Sequence, residues 1–90
     1  MKESAVVNVE DTVKELLLEM LDVKEEDVTL TARFVDDLKA TSIDMIEIIS
    51  TLQNVFDVDI KDTEVAHLHT VQNAVDLLKA AIARADTKEL

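Results

Sequence analysis

The chain contains no glycine and no proline in its 90 residues. Every sharp turn must be made by residues that carry a Cβ and a backbone N–H. Among these, Asn and Asp tolerate left-handed backbone best. A glycine-rich phosphate loop is therefore improbable, and so is a sandwich with tight hairpins. What remains is a set of helices joined by irregular connections, and apolar periodicity picks them out.

Val9, Val13, Leu16, Leu17, Met20 and Leu21 recur at helical spacing. They predict a first helix over about 8–21, with Asn8 as N-cap and Glu10 and Asp11 at its positive end. A long connection follows, from Asp22 to about Thr41. Val23, Val28, Leu30, Phe34 and Leu38 are the residues expected to pin it to the core. A connection of this length has a functional reason or short internal structure. The second helix is predicted from Ser42 to Phe56, capped by Thr41 or Ser42. Asp57 to Lys61 turns the chain with Val58 and Ile60 tucked in, and a short third helix fits within about 62–68. Thr70 caps the last helix, whose inner face is Val71, Ala74, Val75, Leu78, Ala81 and Ile82 and whose end is expected near Ala85. Val28 and Val58 could start short strands, but nothing stands ready to pair with them. The fold class is all-α: a four-helix bundle with three main helices, one short helix and a long first loop. One domain over 8–85 is expected, with a loose tail over 1–7 and a frayed end over 86–90.

Projected at 100° per residue, Met45, Ile48, Ile49, Leu52 and Phe56 form the inner face of the second helix. Ile43, Ile46, Ser50 and Asn54 lie nearly opposite, with Glu47 at the border. A single exposed apolar residue is ordinary. Two isoleucines beside acids, close to Ser42, read as a partner contact.

Twenty acids against nine bases give a net charge of −11. Nucleic acid is an unsuitable partner, because phosphate binding needs a basic surface. Protein partners with basic surfaces suit it, since opposite potentials speed encounter, although acids also serve solubility alone. Phe34 and Phe56 are the only aromatics, so the core must be aliphatic. The absence of Cys rules out disulfides and thiolate sites and fits a reducing compartment. No apolar run reaches the ~18 residues of a membrane span. Ala5-Val6-Val7 is too short for a signal-peptide core. A soluble, monomeric, cytoplasmic protein is expected.

The chemistry concentrates in Phe34-Val35-Asp36-Asp37-Leu38-Lys39-Ala40-Thr41-Ser42-Ile43-Asp44. One serine stands at the mouth of a helix, behind two acids and ahead of a third. No residue nearby could activate it as a nucleophile, so no catalytic residue is assigned. A serine here can be simply an N-cap, or it can be a hydroxyl that another enzyme modifies. Other constellations are weaker. Asp57-Val58-Asp59-Ile60-Lys61-Asp62 lacks the sixth-position Gly and twelfth-position Glu of a calcium loop. His67 and His69 are two apart and have no further ligands, so no metal site is assigned. Ser50, Thr51 and Thr70 stand in no triad-like arrangement.

This stretch resembles the modification site of acyl carrier proteins, roughly F-x-x-D-L-G-A-D-S-L-D. Phe34, Asp37, Leu38, Ala40, Ser42 and Asp44 fall in register. So do Glu47, Leu52 and Phe56-Asp57 downstream, and Thr70-Val71 with Ala74-Val75-Asp76 at the last helix. The resemblance covers about 8–85. It implies a non-enzymatic carrier with 4′-phosphopantetheine joined to Ser42 through a phosphodiester. The arm's thiol would hold acyl groups as thioesters for partner enzymes of fatty-acid, polyketide or related biosynthesis. It also implies a phosphopantetheinyl transferase and acyl-transferring or synthase enzymes with basic docking surfaces as partners, meeting Ile43, Asp44, Ile46 and Glu47. An aminoacyl or peptidyl carrier, and a helical interaction module in which Ser42 is only a cap, are the alternatives.

Five residues depart from the pattern. Lys39 occupies a position where the family commonly has Gly. Any residue there is expected to avoid the strained positive φ, which implies a different approach to Ser42. Thr41 replaces the usual Asp, and Ile43 the usual Leu. Gln53 and Asn54 stand where fatty-acid carriers often have Glu. The thinned acidity of the second helix points to a specialised carrier.

Overall fold

The computed structural model describes residues 8–88. The expected tail over 1–7 and the last two residues lie outside the described residues. Among those described, four α-helices carry the fold: α1 (Val9–Met20), α2 (Ser42–Phe56), α3 (Asp62–Val65) and α4 (Val71–Lys88). α1 packs against both α4 and α2. The all-α reading holds, and α2 has its predicted bounds.

Each helix start is set by local chemistry. Asn8 caps α1, its side chain accepting from the Asp11 N–H at 3.2 Å. Thr70 and Asn73 exchange bonds at the start of α4: the Asn73 N–H donates to Thr70 Oγ1 at 3.1 Å, and the Thr70 N–H donates to Asn73 Oδ1 at 3.0 Å. At α3, the Lys61 N–H donates to Glu64 Oε1 at 3.0 Å. That bond, together with Arg84 at 3.4 Å, holds the Glu64 carboxyl below the usual carboxylate range. α2 ends on Asp57, which takes the left-handed conformation at φ 55°. An Asp therefore makes a helix stop that glycine most often makes. Gln53 then latches the turn, its Oε1 accepting from the Ile60 N–H at 2.9 Å.

α4 is longer than expected, running to Lys88 rather than ending near Ala85. Ala85 to Lys88 offers no glycine or proline to stop it.

The connection between α1 and α2 is ordered by three devices. A short 3-10 turn covers Glu25–Asp27. Val28, Ala32, Phe34, Leu38 and Ala40 are buried in the core, with Val23 and Leu30 half-buried against it. Backbone bonds then stitch it to α4: Val71 N–H to Ala32 C=O at 3.0 Å, Gln72 N–H to Leu30 C=O at 2.9 Å, and Phe34 N–H to His69 C=O at 2.9 Å. An isolated antiparallel bridge pairs Arg33 with Thr70. The possible strands at Val28 and Val58 do not form; the sole β-like pairing among the described residues lies at this seam.

The core is aliphatic apart from Phe34, which is 1% exposed. No polar or charged side chain is buried among the described residues. Ile48 and Leu52 are fully buried on α2, whereas Met45, Ile49 and Phe56 are half-buried. Phe34→Ala should destabilise the chain by about 3–5 kcal/mol, measured by urea unfolding. Val35→Ala, one residue on and 61% exposed, should change stability by about 0.5 kcal/mol or less.

Candidate functional site

Ser42 is the first residue of α2, and the preceding Thr41 takes the cap. Thr41 Oγ1 accepts from the Asp44 N–H at 3.1 Å, while Asp44 Oδ2 accepts from the Thr41 N–H at 2.9 Å. This reciprocal box starts the helix without Ser42. The reading of Ser42 as a cap is thus overturned. Its side chain is exposed, and among the described residues its hydroxyl makes no hydrogen bond.

The backbone around Ser42 suits an anion on that hydroxyl. The first amides of a helix have no intrahelical acceptor. The Asp44 N–H is used by Thr41 Oγ1 and the Met45 N–H by the Thr41 carbonyl at 2.9 Å. The N–H groups of Ser42 and Ile43 have no protein acceptor among the described residues. Phosphate on the Ser42 oxygen would meet these donors at the positive end of a helix 15 residues long.

The turn leading to Ser42 is built from Arg33 and Asp37. The Arg33 N–H and Nε donate to Asp37 Oδ2 at 2.8 and 3.1 Å. The Asp37 and Leu38 N–H groups return to the Arg33 carbonyl at 3.0 and 2.9 Å, and the Ala40 N–H to the Phe34 carbonyl at 2.8 Å. Hydrogen bonds from the Arg33 side chain and backbone hold the Asp37 carboxyl below its ordinary range.

Lys39 completes the turn at φ 61°. The expectation that a non-glycine residue there avoids positive φ is wrong. Leu38 and Ala40 are both buried, so the chain must reverse within one residue between two anchored side chains. That demand outweighs the Cβ penalty of roughly 1–2 kcal/mol.

Around the serine, Ile43 and Ile46 are 67% and 66% exposed, and Glu47 is exposed with them. Helical spacing puts Ile43, Ile46 and Glu47 on one face. Asp44 is half-buried, with one oxygen committed to the cap. The structure therefore groups the expected residues but gives Asp44 a structural task as well. Val35 and Val55 are further exposed apolar residues that the sequence reading left unassigned. Val35 follows inward-facing Phe34, and that alternation was the available signal. It lines a shallow groove with Arg33, Asp36, Leu68 and His69.

Comparison with known proteins adds the decisive observation. The family model described as a phosphopantetheine attachment site matches residues 11–78. The chain belongs to the acyl carrier protein family. It is 39% identical over 72 residues to the acyl carrier protein of Buchnera aphidicola subsp. Acyrthosiphon pisum (strain Tuc7), covering 80% of this chain and 90% of that protein. The acyl carrier protein from Enterococcus faecalis superposes with a TM-score of 0.71 at 29% identity, over 81% of this chain and 92% of that one. Hexanoyl acyl carrier protein from the actinorhodin polyketide synthase in Streptomyces coelicolor gives 0.68 at 27% identity, over 83% and 91%.

Within this carrier fold, the division between Thr41 and Ser42 can be measured. Thr41→Ala should cost about 1 kcal/mol through loss of the cap. Ser42→Ala should change stability by about 0.5 kcal/mol or less. Paired denaturant titrations check both.

Proposed function

We propose that Ser42 is the residue to which this carrier's phosphopantetheine is joined. The observation that carries the proposal is the exposed, unbonded Ser42 hydroxyl, released from capping by Thr41. In the attachment step the Ser42 oxygen forms a new bond to the pantetheine-linked phosphorus of the coenzyme A pyrophosphate, and the P–O bond to the nucleotide phosphate breaks. The nucleotide part of coenzyme A leaves, and the hydroxyl proton passes to a base on the transferase. Ser42 contributes an accessible oxygen, and the free amides of Ser42 and Ile43 stabilise the phosphodiester formed. When bound, the arm supplies the thiol that this cysteine-free chain lacks.

The family acts by carriage rather than catalysis, and we extend that to this chain: it presents a tethered acyl group and performs no reaction itself. One structural relative comes from a polyketide synthase, and the thinned acidity of α2 favours a specialised carrier of fatty-acid, polyketide or related biosynthesis. Its partners are a phosphopantetheinyl transferase and synthase or acyl-transferring enzymes with basic surfaces. They dock on Ile43, Ile46, Glu47 and the free side of Asp44, where exposed apolar area adjoins negative charge. No described helix is long and apolar enough to cross a membrane, and we assign the carrier to the cytoplasm as a monomer.

Incubation with coenzyme A and a broad-specificity transferase should add one phosphopantetheine mass to wild type and none to Ser42→Ala. Modification that persists in Ser42→Ala would refute the assignment. With a partner enzyme in hand, Glu47→Lys should slow association by about tenfold at low salt and flatten its salt dependence. Stopped-flow rates that match wild type would remove Glu47 from the docking surface.

A further inference from the structure

Lys39 is a bulky residue held at φ 61° in the turn before Ser42. Glycine would take that conformation without the Cβ penalty. The fold gains no contact from the lysine side chain in return: it is exposed, and among the described residues it makes no ion pair and no side-chain hydrogen bond. Its influence on the protein is a weak attraction to Asp37, whose carboxylate already sits on Arg33.

The charge map around Ser42 gives this cation a use. Arg33 and Lys39 are the only basic residues between Glu25 and Ile60. Arg33 is engaged by Asp36 at 3.4 Å and Asp37 at 3.1 Å. Lys39 is therefore the unengaged cation in that stretch. Ser42 lies three positions further along the chain, a Cα span of at most about 11 Å. A flexible stem ending in an ammonium can cover that span together with a phosphate on the serine. A phosphodiester on Ser42 would place a new negative charge in the same first turn of α2 as Asp44, on a chain already at −11.

We propose that Lys39 is a positioning residue that holds the phosphodiester on Ser42 by a charge-assisted contact, complementing the free amides at the start of α2. The proposal rests on Ser42 being the attachment residue. The left-handed turn fixes the backbone from which the stem extends, and the ammonium offsets the repulsion that the added phosphate brings.

The test compares wild type, Lys39→Gln and Lys39→Arg, each with and without the arm, with loading at Ser42 verified by intact mass. The change in thermal midpoint caused by the arm is read at low and high salt. At low salt it should be more favourable in wild type and Lys39→Arg than in Lys39→Gln by about 1–4 °C. In roughly 1 M salt, where screening acts within about 3 Å, that difference should vanish. The phosphorus NMR resonance of the phosphodiester should move in Lys39→Gln and stay near the wild-type position in Lys39→Arg. Equal arm-induced changes in wild type and Lys39→Gln, with an unmoved phosphorus resonance, would overturn the Lys39 contact and leave attachment at Ser42 standing. Failure of wild-type Ser42 to take up the arm would overturn both.

Discussion

The structure depends on how the first turn of α4 uses its orphan amides. A helix start has four N–H groups with no intrahelical acceptor. Here Val71 and Gln72 donate to the carbonyls of Ala32 and Leu30, while Asn73 and Ala74 donate to Thr70. One end of α4 thus ties down the middle of the connection between α1 and α2. Phe34, next along, is drawn into the core and donates its own N–H back to His69. Release of this seam would free the whole approach to Ser42.

From that anchor, position passes to Ser42 through short-range links. Arg33 and Asp37 close a turn, Leu38 and Ala40 bury on either side of Lys39, and Thr41 caps α2. Each link uses neighbouring residues, so the ordering entropy of each step is small beside that of a long free loop. The result is a hydroxyl at a defined place that has no duty in the fold. A modification target needs both properties. A serine that capped its own helix would exchange a stabilising bond for the modification, whereas here Thr41 bears the cap and Ser42 stays chemically idle.

The same economy governs the outer surface of α2. Its inner face contributes Ile48 and Leu52 to the core, and its outer face exposes Ile43 and Ile46 beside Glu47. A carrier must meet several enzymes and leave each of them. In the proposed docking role, modest apolar area gives short-lived contact, and negative charge raises encounter rates without demanding tight binding. The aliphatic core, satisfied throughout by apolar side chains, lets the acids stay on the surface.

The sequence by itself determined the helices and their apolar faces, because these depend on spacing within about four residues. α2 was legible to its bounds, and Asn8 and Thr70 were legible as caps. Three features were decided only by tertiary structure. Lys39 adopts positive φ because buried Leu38 and Ala40 fix the chain on both sides. The connection before α2 is ordered because α4, about forty residues downstream of Leu30 and Ala32, supplies donors to their carbonyls. Ser42 is free because the buried loop brings Thr41 to the cap position with ψ 173°, where Thr41 and Asp44 satisfy each other. In sequence Thr41 and Ser42 are equivalent candidate caps; the backbone angle at which the buried loop delivers Thr41 to α2 separates them.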